Sequence, residues 1–240
     1  MKRTFVSLAV LLAAIPPAIA ADNIDQINQL NQTNFRNLSE DLAAAASYKG
    51  VIPATPLGLT GFDIGVEVSA TTLQHPDVWN LASSGGTPSD TVYVPKLHLH
   101  KGLPAGFDLG AFYSSVPDTD MTLWGAEVRY AILEGGALKP ALGLRGTYSK
   151  LSGINELDFH TTGLELLVSM VFTIFTPYAG AGQIWTTSEP VGVSNIEKEE
   201  FSQGKYFVGG NLNLGLINFA LEADKTGDAA SYSAKIGFRF

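Results

Sequence analysis

The chain of 240 residues contains no cysteine. That excludes a disulfide framework, a cysteine-based zinc cluster and a thiol nucleophile. Basic residues are scarce, with 15 Lys and Arg against 23 Asp and Glu and a formal net charge of −8. Nucleic-acid binding requires Lys/Arg stripes, so this balance argues against it. Beyond the amino-terminal stretch there is no long uncharged apolar run. The nearest, Leu164 to Phe175, carries Glu165 and is too short for a spanning helix. If such a chain crosses a membrane it does so as a closed sheet, because in lipid only helices and closed barrels satisfy every backbone polar group. No nucleophile elbow, phosphate-binding loop or His-x-Ser pair is present.

What is present begins with an export signal. Lys2 and Arg3 form a short basic region, Phe5 to Ile15 is apolar, and Ala18-Ile19-Ala20 offers small residues at signal-peptidase spacing. Residues 1–20 are expected to be removed before Ala21. Loss of Lys2 and Arg3 takes the formal charge from −8 to −10. The competing reading, a membrane anchor over Thr4–Ala21, is weakened by Pro16-Pro17.

Residues 61–240 read as alternating segments separated by turn residues. Side chains alternate across a strand with period two. Phe62, Ile64, Val66 and Val68 oppose Asp63, Gly65, Glu67 and Ser69; Tyr93, Leu97 and Leu99 oppose Lys96, His98 and His100. Phe107, Leu109, Ala111 and Tyr113 form a third apolar face, and Trp124, Ala126, Val128, Tyr130 and Ile132 oppose Gly125, Glu127 and Arg129. The fifth segment sets Leu142, Leu144 and Tyr148 against Arg145, the sixth sets Leu164, Leu166 and Val168 against Glu165, and the seventh, Thr176 to Thr187, is weaker, with Tyr178 and Ile184 on one face. Tyr206, Val208, Leu212 and Leu214 make the eighth, and Phe219, Leu221 and Ala223 the ninth. The tenth ends the chain: Tyr232, Ala234, Ile236, Phe238 and Phe240 oppose Ser231, Ser233, Lys235, Gly237 and Arg239.

Most segments hold the roughly 9–11 residues a tilted strand needs to cross a bilayer. The two longest connections, Gln74–Asp90 and Ser188–Gln203, fall after the first and seventh strands, hence at one end. The connections at the other end are short, as expected of periplasmic turns. The expected fold is therefore all-β, a transmembrane antiparallel up-and-down β-barrel of ten strands, eight or twelve being the alternatives. A soluble sandwich, or a soluble barrel with an apolar lumen, would use the same alternation. The signal peptide and the terminal Phe decide for apolar-outside.

Lys235-Ile-Gly-Phe-Arg-Phe240 resembles the terminal signal by which bacterial outer-membrane barrels are recognised for insertion, carried by Lys235, Gly237, Phe238 and Phe240. With the alternating segments before it, the chain resembles the small Gram-negative outer-membrane β-barrel proteins. That resemblance implies location in the cell outer membrane, contact with its lipid and lipopolysaccharide, and handling by the barrel-assembly machinery. Aromatics near strand ends are expected in interfacial girdles: Phe62, Tyr93, Phe107, Tyr113, Tyr130, Tyr148, Phe159, Tyr178, Phe219 and Phe238. The resemblance specifies no activity.

Residues 21–60 differ in kind. They are rich in Asn and Gln up to residue 35, with Ile24, Ile27 and Leu30 at helical spacing. Asn37 is expected to cap a helix over Leu38 to Tyr48 that stops at Gly50, and a proline-broken tether leads into the first strand. The functional expectation is a plug within the barrel or across its periplasmic mouth; the alternative is a loose periplasmic leader.

Facing inward, Asp63, Glu67, Asp108, Glu127, Glu165, Glu222 and Asp224 oppose Lys96, Arg129, Arg145, Lys150, Lys235 and Arg239. Seven acids against six bases suit a salt-bridged lumen, whereas a one-signed lining suits an ion-selective channel. The expected network joins Glu127 with Arg129 and Arg145, and Glu67 and Glu165 with the other bases, Lys96, Lys235 and Arg239 among them. His98 and His100 share a face, but no third ligand lies nearby, so neither metal nor cofactor is assigned. Two functions are thus weighed. One is a non-enzymatic barrel, structural or a narrow plugged channel for a small solute. The other is a rim hydrolase resembling the omptin proteases, with His75, Asp77, Asp118 and Asp120 in outer loops on strands too short to raise a cleft. Glu189, Glu197, Glu199 and Glu200 around Lys198 give the second long loop an acidic surface, ordinarily a solvated face.

Overall fold

The computed structural model describes residues 23–83, 90–116 and 119–240. The expected signal peptide and Asp118 lie outside them. Ten antiparallel strands close into one barrel: β1 (Phe62–Thr72), β2 (Thr91–Gly102), β3 (Phe107–Ser115), β4 (Thr122–Leu133), β5 (Pro140–Ser152), β6 (Leu157–Met170), β7 (Phe175–Pro190), β8 (Glu199–Leu214), β9 (Ile217–Thr226) and β10 (Ala229–Arg239). Each strand pairs with its sequence neighbours, and β10 closes on β1 with Glu67 opposite Lys235 and Gly65 opposite Gly237. Closure leaves no unpaired edge, which a lipid-facing sheet requires.

The alternation holds in nearly every strand. Ile64, Val66, Leu97, Leu99, Val128, Leu164, Leu166, Val208 and Leu221 are exposed on the outer wall. Among the described residues no helix is long and apolar enough to cross a membrane. The exposed apolar surface is carried by the strands instead. Ring pairs stand at both ends of it. Phe62 stacks on Phe240 at 5.9 Å and Phe107 meets Tyr130 at a tilt at 4.8 Å near the short turns; Trp124 meets Tyr148 at 5.4 Å towards the long loops.

Two of the expected girdle residues face the other way. Phe159 and Tyr178 are buried inside the barrel. Phe159 shares its parity with Glu165, so it must point where Glu165 points. In β7 the face carrying Tyr178 and Ile184 is the inner one, while Trp185 stands outside. A Gly/Ala-rich strand gives the period-two pattern little contrast, which is why its facing was illegible.

The second long connection is shorter than expected, because pairing of Ser188 with Glu199 extends the β7–β8 hairpin and leaves only residues 191–198 as loop. β7 and β8 have 16 residues each. At about 3.3 Å per residue and a tilt near 45° they rise roughly 37 Å, beyond a hydrocarbon core of about 30 Å. The wall is therefore taller on this side than the sequence implied. The loop between β1 and β2 carries a short helix, α2 (Pro76–Ala82), held by Trp79 and Val78 against the interior.

The segment before β1 fills the lumen. A 3-10 turn at Ile27–Gln29 precedes α1 (Gln32–Ala46). The helix starts earlier than Asn37 because Asn31 caps it, accepting the Asn34 N–H at 2.9 Å, and because Phe35, Leu38 and Leu42 share one buried face. It ends at Ala46, where Ser47 turns extended, so Gly50 is not its stop. Residues 47–60 then run to the short-turn end without regular secondary structure, bending at Val51 (φ 46°) and turning at Gly58 (φ 75°).

Candidate functional site

The lumen has two zones. Towards the long loops lies an apolar core formed by Ile24, Ile27, Leu30, Phe35, Leu38 and Leu42 from the segment, Trp79 and Val78 from α2, and Phe112, Leu123, Leu151, Phe159 and Ile184 from the wall. Towards the short turns lies a belt of buried charge. The segment passes through both. Ser39 donates to the Phe35 carbonyl and meets Ser188 of β7 at 2.8 Å. Asp41 accepts the Gln74 and His75 N–H groups at 2.9 and 2.8 Å, tying the helix to the first long loop. Lower down, Arg129 donates to the Pro53 carbonyl at 2.7 Å, Thr55 meets Ser169 at 3.1 Å, and the Leu57 N–H donates to Asp108 at 3.1 Å. Leu59 stands at the far end, exposed. The segment thus spans the barrel from one mouth to the other and is not confined to the short-turn mouth.

The buried charges pair as follows. Glu67 takes Lys96 at 3.0 Å and His98 at 2.5 Å. Asp63 takes Lys235 at 3.1 Å and Arg239 at 3.2 Å. Arg145 donates from Nε to Glu165 at 2.6 Å and stands 3.6 Å from Glu127, which also faces His100 at 3.5 Å. Arg129 belongs to Asp108, at 2.6 Å, and not to Glu127 as the sequence order implied. Both residues face inward from adjacent strands in direct register, Asp108 opposite Arg129, which decides the matter.

Three lumen assignments change. Lys150 sits half-exposed on the outer wall and pairs with Asp158 at 3.2 Å. Its parity matches Tyr148, which faces outward. Lys205, passed over because the eighth segment was read from Tyr206 onward, is fully buried and pairs with Glu165 at 2.9 Å. Lys49, from the segment itself, places its ammonium 3.0 Å from Asp224, also donating to Ser231 and to the Ala44 carbonyl at 3.1 Å each. With Lys49 and Lys205 in and Lys150 out, the seven wall acids face seven bases: Lys49, Lys96, Arg129, Arg145, Lys205, Lys235 and Arg239. The belt is neutral only when the segment is in place.

Glu222 forms no salt bridge among the described residues. The Tyr178 ring lies where a Gly209 side chain would be, directly across the ladder from Glu222, and its hydroxyl is the hydrogen-bonding neighbour of that carboxylate. Sequence showed the facing of Glu222 but not this neighbour.

His98 and His100 stack at 5.7 Å, their ring nitrogens directed at Glu67, Asp63 and Glu127. Among the described residues no group of three or more His, Asp or Glu is placed to hold a metal ion. At the rim, the His75 ring faces Asp41 at 3.6 Å rather than Asp77. The Asp120 N–H donates to Asn23 at 3.3 Å. At the top of β8 the Glu200 carboxylate, hydrogen-bonded to Lys198 of the 191–198 loop, raises the ammonium pKa above its ordinary value.

No protein-family model matches the chain, and neither does any curated protein. Solved structures do. An outer membrane channel from Pseudomonas putida F1 aligns with 81% of this chain and 100% of its own, at 12% identity and a TM-score of 0.50. The outer membrane protein OprG from Pseudomonas aeruginosa aligns with 79% of this chain and 99% of its own, at 12% identity and a TM-score of 0.35. The amino-terminal β-barrel domain of Pseudomonas aeruginosa OprF covers 76% of this chain and 99% of its own, at 10% identity and a TM-score of 0.37. The chain has the fold of the Gram-negative outer-membrane β-barrels.

Proposed function

We propose that this chain is a non-enzymatic barrel of the Gram-negative outer membrane, closed at rest by its own residues 23–60. It serves as a surface or structural protein, and a small solute passes only when that segment shifts. The observation that carries the reading is the continuous run of contacts from Ile24 to Leu59 along the lumen, with Lys49 completing the neutral belt. A ten-stranded interior is barely wider than its own side chains, so a helix inside it leaves no open path.

The apolar wall suits outer-membrane lipid, and its paired outer charges, Lys150 with Asp158 and Lys198 with Glu200, suit a lipopolysaccharide surface bridged by divalent ions. Lys235, Gly237, Phe238 and Phe240 are the residues the assembly machinery would read. Against the rim hydrolase stands the use of Asp41: the carboxylate facing His75 is already engaged by two backbone N–H groups. An enzyme of that kind needs a base free to activate water.

Planar-bilayer conductance tests the proposal. The full chain is expected to be silent, and a variant lacking residues 23–57 is expected to conduct. Steady conductance from the full chain would refute closure, and silence from the shortened chain would show that the wall alone fills the lumen.

A further inference from the structure

The plug enters β1 at the short-turn end, so its other end must lie at the long-loop end. Contacts fix it there. Ile24 forms a bridge with Ser83 just after α2, and the Asp25 and Gln26 N–H groups both donate to the Ala82 carbonyl, at 3.1 and 2.9 Å. Asn28 and Leu30 carbonyls accept from Asn195 in the 191–198 loop, at 3.2 and 2.9 Å. Gln32 and Arg36 hold Glu199 at the top of β8, Arg36 at 3.1 Å and with its guanidinium 4.0 Å above the Phe201 ring.

Below these contacts Ile27, Leu30, Phe35 and Leu38 are at most 1% exposed and occupy the lumen, whereas Asn28, Gln29 and Asn31 are exposed at the long-loop mouth. Resting on the orientation proposed above, with the long loops outward, we infer that the barrel threads its own amino-terminal side through the lumen and displays it on the cell surface.

This gives the outer mouth a composite contact surface in place of a pore opening. The plug tip contributes exposed Asn28, Gln29 and Asn31, and the neighbouring loop contributes Ser194 and Asn195. They are uncharged hydrogen-bonding groups, unlike the acidic rim beside them.

The absence of cysteine makes the test clean. Single-cysteine variants Asn28→Cys and Leu59→Cys place a thiol at either end of the same segment, and Gly192→Cys reports on a long loop. A membrane-impermeant maleimide applied to intact cells is expected to label Asn28→Cys and Gly192→Cys, and to label Leu59→Cys only after permeabilisation, with at least a tenfold difference. Thr33→Cys serves as a second plug-tip position should Asn28→Cys assemble poorly. If the plug-tip thiols react only in permeabilised cells while Gly192→Cys reacts in intact ones, threading is overturned. If Gly192→Cys itself is shielded in intact cells and Leu59→Cys is not, the orientation proposed for the barrel fails, and surface display fails with it.

Discussion

Ser39 of the plug helix and Ser188 of β7 face each other with their hydroxyl oxygens 2.8 Å apart, both fully buried. This pair joins the plug segment to the barrel wall. A double variant, Ser39→Cys with Ser188→Cys, should form a disulfide under mild oxidation, because so close an approach falls within disulfide reach. The bond would close a loop of well over a hundred residues and add up to about 4–5 kcal/mol on the chain-entropy account. A mobility shift reversed by reductant checks it. A folded double variant that never cross-links would mean the helix does not sit here.

The plug's lumen charge is equally specific. Replacing Lys49 by Met leaves Asp224 buried without its cation, and breaking such a pair costs about 3–5 kcal/mol. Lys49→Met with Asp224→Leu should recover most of that loss. Denaturant unfolding in detergent measures both, and equal losses in the single and double variants would count against the pairing.

Glu222 and Glu165 should respond unequally to amidation. Glu165→Gln weakens links to Arg145 and Lys205 and should destabilise by about 3 kcal/mol or more. Glu222 neighbours the Tyr178 hydroxyl, which an amide oxygen can still accept from, and forms no salt bridge among the described residues, so Glu222→Gln should cost less than about 1 kcal/mol. Unfolding midpoints compare the two directly; a larger loss at Glu222 would refute this order.

Helix capping distinguishes Asn31 from Asn37. Asn31→Ala should cost about 1 kcal/mol, and Asn37→Ala, inside the helix, no more than about 0.5 kcal/mol. The reverse order would restore the later helix start.

At the other end of the chain, Phe240 stacks on Phe62 beside the strand closure, and its N–H donates to the Phe62 carbonyl at 3.1 Å. Deleting Phe240 should lower the assembled fraction severalfold, read as loss of the heat-modifiable band. Unchanged assembly would remove the terminal signal from the account.

The strands were legible because alternation is local. A pleated backbone sends neighbouring side chains to opposite faces wherever the chain goes, so Val128 and Arg129 are separated before any partner is known. Parity likewise set the long loops at one end. The eight network residues were legible as inward groups, and the expected approach of Glu127 to Arg145 and of Glu67 to the base Lys96 is found. Other partners were not legible: Arg129 meets Asp108 and Lys235 meets Asp63 because of register and barrel stagger, which no single segment encodes. Lys205 lies one residue before the alternation of the eighth segment becomes visible at Tyr206, and Tyr178 and Phe159 lie where glycines or a long strand blur the facing.

By itself the sequence determined an exported-looking chain of amphipathic strands, apolar on one face and charge-balanced on the other, ending on Phe240. Only the tertiary structure decided that Asn31 starts the helix, that Lys49 completes the lumen charge, and that residues 23–60 run from mouth to mouth. The physical reason is range. A strand's two faces follow from neighbouring residues, whereas a plug acquires its place, and its buried lysine a tolerable environment, only when strands more than a hundred residues away have closed around it.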